Sequence, residues 1–459
     1  RDIGVTGVQT CALPICYKNR DLAVFNALIE ELEKAGIKAT GVYGWPVHSL
    51  KRQLQPAGGR TPFDVFLANN LSFVQSDDAP YLEALGKPVI NIMTSRVSQA
   101  DWAASPQGVT ADRVATLVAN AERAGATDPL VIGAAETDPV TKVQRTEPIR
   151  ERVAMAVARA RRWIALQRKP NSAKRIAILY FNNPPGKGNI GASYLNVAPS
   201  LVAMVNQMRD EGFLTGMQAP DEKNLLAMLE ATGRNIEQWA PGELEAMLAK
   251  GHVELVSMAQ YKAWFAELPK QFRDFVVKGW GRPEDSRLMT VTTRDGRKFF
   301  AIPGVRLGNV FLGPQPLRTT FERANESLHN ITVPPPHIYI AAYLWYRKTF
   351  RADAIAHVGR HGTLEFLPGK NTGQAGWDSS EVVLGDLPNP YVYIIDGGGE
   401  STIARRRSAG VMIGHLTPLS VPAGEQKANA ALRDAVRNYE QTHETSPASR
   451  RPTPPCATQ

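Results

Sequence analysis

Residues 354–370, Ala354-Ile-Ala-His357-Val-Gly359-Arg-His361-Gly-Thr-Leu-Glu365-Phe-Leu-Pro-Gly-Lys370, read as an apolar strand that runs into a glycine turn. A short apolar run without polar alternation suits a strand covered on both faces, as in a parallel sheet packed between helices. Gly362 permits a tight turn, Thr363 can cap a short helix carrying Glu365, and Pro368-Gly369 ends it. In open parallel sheets, sites form beyond the carboxyl ends of the strands, so His361 and Glu365 are expected to project into a crevice there. The pair is not the His-Glu-x-x-His of zinc proteases, because glycines interrupt any continuous helical face. The plainer reading is that Glu365 caps a backbone group or forms a salt bridge.

Downstream, Tyr391 to Asp396 reads as a second strand. Three glycines, Gly397 to Gly399, then lead into a helix from Glu400 to Leu416 with Arg405, Arg406 and Arg407 in its second turn. Free backbone N–H groups at a helix start favour anions, and arginines can fork onto carboxylates. A solvated basic turn explains the same residues. Upstream, Pro334 to Pro336 precede an aromatic helix with Tyr339, Tyr343, Trp345 and Tyr346, for which core packing is the default. Leu317 to His329 reads as a helix carrying Arg318, Glu322, Arg323, Glu326 and His329, able either to line the crevice or to pair its charges on the surface. Five of the eight histidines (His329, His337, His357, His361, His415) fall between residues 329 and 415. Imidazole titrates near neutral pH and ligates borderline metals, so the cluster is a candidate for metal handling or proton transfer.

From residue 171 to 315 the pattern is a second α/β unit. It has a strand at Arg175 to Phe181 and helices at Leu201–Asp210, Asp221–Ala231, Gly242–Ala249 and Tyr261–Val277. A hairpin is expected around Arg294-Asp295-Gly296, and a further strand at Val310–Leu312. Gly186-Lys-Gly188-Asn-Ile-Gly191 matches the dinucleotide fingerprint only formally, since Pro184 and Pro185 separate it from the strand. It is no Walker A loop either, because Gly follows Lys187. Residues 17–145 alternate helices (Asp21–Ala35, Ala111–Ala124) with apolar runs (Ile37–Tyr43, Phe63–Ala68, Pro88–Ile92), a doubly wound layout. Residues 146–170 are expected to form a connecting helix.

The first 16 residues lack strand or helix periodicity and resemble translated adapter or vector sequence, so they are expected to stand outside the fold as a non-native leader. Residues 441–459 are rich in Pro, Ser and Thr and are expected to be disordered. With 459 residues, 43% apolar and 21% charged, the chain has material for about three domains. A net charge of +9 is modest for this length and argues against a nucleic-acid partner. No apolar run is long enough for a membrane span. Cys11, Cys16 and Cys456 lie near the ends. The interior therefore has no cysteine zinc or iron–sulfur site, and a reducing, cytoplasmic location is expected.

The motifs of residues 316–418 resemble the large tetrapyrrole-binding subunit of the cobaltochelatase and magnesium chelatase family. They are His329-Asn330, Pro335-Pro336-His337, His361-Gly-Thr-Leu-Glu-Phe-Leu-Pro-Gly-Lys370, Leu384-Gly-Asp-Leu-Pro388 and Ala404-Arg-Arg-Arg407. Asn183-Pro-Pro-Gly-Lys-Gly-Asn-Ile-Gly191 resembles the family as well. The resemblance covers about residues 171–420 and implies an internal fragment of a longer protein, α/β and multi-domain, with Rossmann-like units followed at 316–425 by part of the chelatase active-site domain. It implies ATP-dependent insertion of a divalent metal into a tetrapyrrole, with Co2+ into hydrogenobyrinic acid a,c-diamide for cobalamin as the first reading. Mg2+ into protoporphyrin IX is the second, and a non-catalytic tetrapyrrole-binding module the alternative of another class. The implied partners are a AAA+ ATPase subunit, which binds the ATP with its own Mg2+, and a subunit with an integrin-like domain. The implied roles are metal delivery or proton abstraction for Glu365 and His361, with His357 and His337 as further ligands. Arg405, Arg406, Arg407, Lys370, Arg318 and His329 would hold the ring. Trp377-Asp378 stands where many relatives show a cysteine, so thiolate ligation there is excluded.

Overall fold

The computed structural model describes residues 3–8, 21–42, 44, 47–55, 60–69, 71, 75, 77–182, 190–191, 195–216, 220–236, 240–320, 330–359, 362, 364–394, 398–415, 434–436 and 438–439. It forms two compact units, Arg1–His415 and Leu416–Gln459. The described residues of the second are helical.

In the first unit, strands β1 (Ile3–Val8), β2 (Ile37–Val42), β3 (Phe66–Asn69), β4 (Val89–Thr94), β5 (Thr127–Thr137) and β6 (Gln144–Pro148) make one sheet in the order β2-β1-β3-β4-β5-β6. All neighbours are parallel except the β5–β6 pair. This is the doubly wound layout expected, with two differences. Ile3–Val8, expected to lie outside the fold, pairs with β2 over six residues. Its Ile, Val and Thr content suits a strand even though the segment is too short to show a period. The long strand β5 had no counterpart in the sequence reading, because Pro129 and Gly133 break up its apolar run.

The expected connecting helix is Arg150–Arg168, between β6 of this sheet and the strand Ile176–Tyr180 of the next. Residues 144–148 belong instead to β6, held by Asp21, which accepts from the Thr146 amide (3.0 Å) and hydroxyl (2.8 Å). The helix buries Val153, Ala156, Val157, Ala160 and Ile164 against Leu67, Ile90 and Ile132 of the first sheet and Leu28 of the helix Ala23–Lys34. Two of its arginines, Arg152 and Arg159, are buried as well.

Six further strands form a second large sheet: β7 (Ile176–Tyr180), β11 (Val305–Leu307), β12 (Val310–Pro314), β13 (Ala354–Gly359), β14 (Asn389–Ile394) and β15 (Gly410–His415), in the order β11-β12-β7-β13-β14-β15. β12 through β15 run parallel. A small antiparallel sheet, β8 (Glu254–Ser257), β10 (Lys298–Ile302) and β9 (Thr290–Thr292), contains the expected hairpin. Strands from both sides of residue 315 share the large sheet, so the boundary expected there is no boundary in the structure. Every residue of β13 is buried, as its unalternating sequence requires. Tyr261–Val277 is two helices, Met258–Ala266 and Lys270–Trp280, because Pro269 supplies no N–H to continue the first.

The aromatic helix, His337–Lys348, is core on all sides, with His337 through Tyr346 buried. Trp345 stacks on Phe350 (centroids 5.6 Å) and packs against Phe311 (4.9 Å). Each such side chain contributes about 1.5–3 kcal/mol by burial. The last helix also differs from expectation. It spans Gly398–Arg407, and Gly410–His415 forms β15 rather than continuing it. Ala409 adopts a positive φ of 49° between them, which ends the helix. The three arginines therefore lie in its last turn, at the end of the helix dipole opposite to the one that favours anions.

Candidate functional site

Glu365 follows the carboxyl end of β13 and meets Tyr391 of β14, while Gly362 before it lies against Gln315, just after β12. Residues 364–369 form turns rather than the expected short helix. Glu365 is fully buried. Its Oε1 accepts from the Gly362 amide (2.7 Å) and, more weakly, from the Tyr391 hydroxyl (3.4 Å), while Oε2 has no hydrogen-bond partner among the described residues. Burial pushes the carboxyl up to about 7, against the backbone donors that favour the anion. A buried acid poised near neutrality with one oxygen uncommitted can take up or release a proton under cellular conditions. The capping reading thus accounts for one oxygen and leaves the other unexplained.

Gly362 is required sterically, because a Cβ there would overlap the Tyr391 hydroxyl and crowd the Gln315 amide at 2.9 Å. Arg407 closes the loop from the other side: buried, it donates from Nη2 to the carbonyls of Leu367 and Gly369. Burial lowers its pKa, while Asp378 and Glu365 favour its charge.

Behind Glu365 runs a buried aromatic layer. Tyr391 stacks on His357 (5.1 Å), and His357 takes Tyr343 at Nε2 (2.9 Å) and Asn389 Oδ1 at Nδ1 (2.6 Å). Burial lowers His357 to about 4, so it is neutral at pH 7 with both ring nitrogens committed. His337 is similarly occupied, with Nδ1 on the Tyr261 hydroxyl (2.8 Å) and Nε2 on the Gly281 carbonyl (3.0 Å), and its ring lies against Tyr261 and Phe265. The structure therefore gives both histidines hydrogen-bonding partners inside the core and does not bring them together with Glu365 as a ligand set. His361 and His329 lie outside the described residues, as do residues 183–189 of the glycine-rich loop. Among the described residues, no group of three or more His, Cys, Asp or Glu is placed to hold a metal ion.

The basic residues are dispersed rather than gathered at one crevice. Arg318, buried and lowered to about 10 by desolvation, donates to the carbonyls of Asn330, Val333 and Pro334. The helix expected around it is absent at residues 317–320, and 321–329 lie outside the described residues. Arg406 forms a fork with Glu122 (2.7 and 2.8 Å). Arg405 is partly exposed. Lys370 donates to the Ala103 and Ser105 carbonyls (2.7 and 2.9 Å), with its ammonium over the rings of Trp102 and Trp377. It thus ties the loop after Glu365 to the first sheet's periphery. Lys370→Met is expected to lower stability by about 1–2 kcal/mol, read from a urea midpoint, because two carbonyls lose their donor. A change below about 0.5 kcal/mol would show the clasp to be idle.

Sequence reasoning missed Gln315, Tyr391, Tyr343 and Asn389. Gln315 was detectable as the polar residue following the apolar run of β12. The partners of the others depend on strand register.

A sequence profile described as CobN/Magnesium Chelatase matches residues 11–453. The chain belongs to this family. The aerobic cobaltochelatase subunit CobN of Sinorhizobium sp is 34% identical over 457 residues, 95% of this chain and 34% of that protein. The chloroplastic magnesium-chelatase subunit ChlH of Oryza sativa subsp. indica is 31% identical over 82% of this chain and 25% of its own length. Among solved structures, the catalytic subunit of cobaltochelatase from Mycobacterium tuberculosis superposes with a TM-score of 0.73 at 25% identity, over 98% of this chain and 38% of that one. The chain spans about a third of the length of the CobN relative. Within the CobN/magnesium chelatase family, then, this stretch comprises the doubly wound unit together with the sheet that presents Glu365. No helix among the described residues is long and apolar enough to cross a membrane.

Proposed function

We propose that this chain is the part of a cobaltochelatase large subunit that holds the macrocycle and passes Co2+ into it, acting on hydrogenobyrinic acid a,c-diamide in cobalamin synthesis. The observation that carries the reading is Glu365: buried, raised to about 7, beyond the carboxyl end of a parallel strand, with Oε2 unpartnered among the described residues. Metal insertion requires two pyrrole N–H protons to leave as the cation arrives, and a carboxylate of this basicity can accept a proton or serve as a transient oxygen ligand. His361, four residues earlier, is the second candidate for the same work. Tyr391 and the Gly362 amide orient the carboxylate, and Arg407 fixes its loop. ATP would be hydrolysed by a AAA+ partner, with an integrin-like-domain subunit coupling the two, in the cytoplasm.

A second reading, Mg2+ insertion into protoporphyrin IX, is supported by the 31% identity to the rice magnesium-chelatase subunit. The test is an absorbance and fluorescence-quench titration of the chain with both rings. Binding of the corrinoid alone is expected, a preference for protoporphyrin would move the assignment to magnesium, and binding of neither ring by the folded chain would refute a complete ring pocket here.

A further inference from the structure

The first sheet has a cavity of its own, remote in chemistry from Glu365. It encloses about 280 Å³ at the carboxyl end of β4. Ser95 and Arg96 line it from the end of the strand, and Thr110, Asp112 and Arg113 from the facing segment. Positions beyond the carboxyl ends of parallel strands are where open α/β sheets bind ligands. Among the described residues, neither Arg96 nor Arg113 is in an ion pair, and Asp112 lines the cavity without pairing to either. The Thr110 side chain caps no backbone amide.

A guanidinium without a carboxylate partner presents its Nη donors to an oxyanion whose planar oxygens match their fork. Two cations against one carboxylate leave the lining one positive charge in excess, which suits a ligand with a single negative charge. We propose that this cavity binds a small ligand through one carboxylate or phosphate group, gripped by Arg113 and Arg96, with Ser95 and Thr110 as hydroxyl partners.

The site also abuts the segment after Glu365. The Asn371 and Thr372 amides donate to the carbonyls of Pro106 and Gln107 (3.0 and 3.3 Å). Gly108, on the cavity wall with a φ of +75°, pairs with Thr372 so closely that no side chain fits between them. Occupancy is therefore expected to slow amide exchange at residues 105–110 and 370–374 together.

The experiment is isothermal titration of the 459-residue chain with acetate and with inorganic phosphate, using chloride as the control. One-to-one binding of acetate or phosphate is expected, and whichever anion binds identifies the headgroup. Arg113→Gln should weaken that binding by about tenfold or more, and Arg96→Gln by less because Arg96 is exposed. Absence of binding by either anion overturns the proposal, as does an Arg113→Gln protein that binds like the parent. Should Arg113→Gln fail to fold, Arg96→Gln decides: unchanged affinity overturns the proposal, and weakened affinity supports it. None of these readouts depends on metal insertion at Glu365.

Discussion

Glu365→Gln, made in the full-length subunit and assayed with its partner subunits, is expected to bind the ring as the parent does and to insert metal about 10²–10⁴-fold more slowly. Glutamine keeps the size and the acceptor that Gly362 and Tyr391 use, so the loop is preserved while the proton acceptor is lost. Undiminished insertion would remove Glu365 from the chemistry. The same substitution has a signature in the isolated chain that needs no substrate. Glu365 titrates near 4.5 when unfolded and at about 7 when folded, so between these values the folded state keeps a proton that the unfolded state has released. The stabilisation associated with that bound proton is present below pH 4.5 and is lost as the pH rises through 7. Relative to the parent, Glu365→Gln should therefore gain on the order of 2–3 kcal/mol between pH 5 and pH 8. His357, lowered to about 4, acts in the opposite direction, since its unfolded form takes up a proton below pH 6.5 that the folded form refuses. It is common to both proteins and cancels in the comparison. Urea midpoints of the two at pH 5 and 8 would decide, and a difference independent of pH would mean that Glu365 is not the poised acid described.

The other large effect lies at the joint between the two big sheets. Glu381, in the helix Ser379–Leu384, accepts from Arg152 Nη1 at Oε1 and from Arg159 Nη2 at Oε2, both at 2.6 Å, and all three side chains are buried. Burial alone would raise the Glu381 pKa, but the two guanidiniums hold it below the ordinary value. Arg159 also pairs with Asp128 of β5, which desolvation pushes up to about 6 despite that pairing. Glu381→Ala leaves two buried guanidiniums short of a counter-charge and opens a void. The expected loss is about 3–5 kcal/mol, measured by equilibrium denaturation. Replacing Arg152, Arg159, Asp128 and Glu381 together with apolar residues of similar volume is expected to cost far less, because no buried charge is then stranded. A single-site loss under about 1 kcal/mol would show that water reaches the cluster.

These two sites differ in how they announce themselves in the chain. Glu365 lies in a local pattern, strand then glycine turn then acid, whose geometry depends on neighbours in sequence, and its position beyond a buried parallel strand follows from that pattern. The ion cluster joins residues 128, 152, 159 and 381, and nothing local distinguishes Arg152 and Arg159 from solvated positions on a basic helix. The same holds for Lys370 and Arg407. The family resemblance implied ring binding for them, and the structure gives them backbone carbonyls as partners.

The sequence by itself determined the alternation of helices with buried strands, the hairpin at residues 290–302, the aromatic core helix and the acid at the end of β13. Each rests on periodicity, turn chemistry or a motif contained within some twenty residues, the range over which backbone preference and side-chain patterning act without help from the rest of the chain. The tertiary structure alone decided that β12 and β13, from either side of residue 315, flank β7 in one sheet, and that His337 and His357 spend both ring nitrogens inside the core. It also decided that Glu365 is dry enough to hold its proton near neutrality. Those outcomes depend on strand order, on desolvation and on which distant groups meet, and burial is a property of the whole fold that no local stretch encodes.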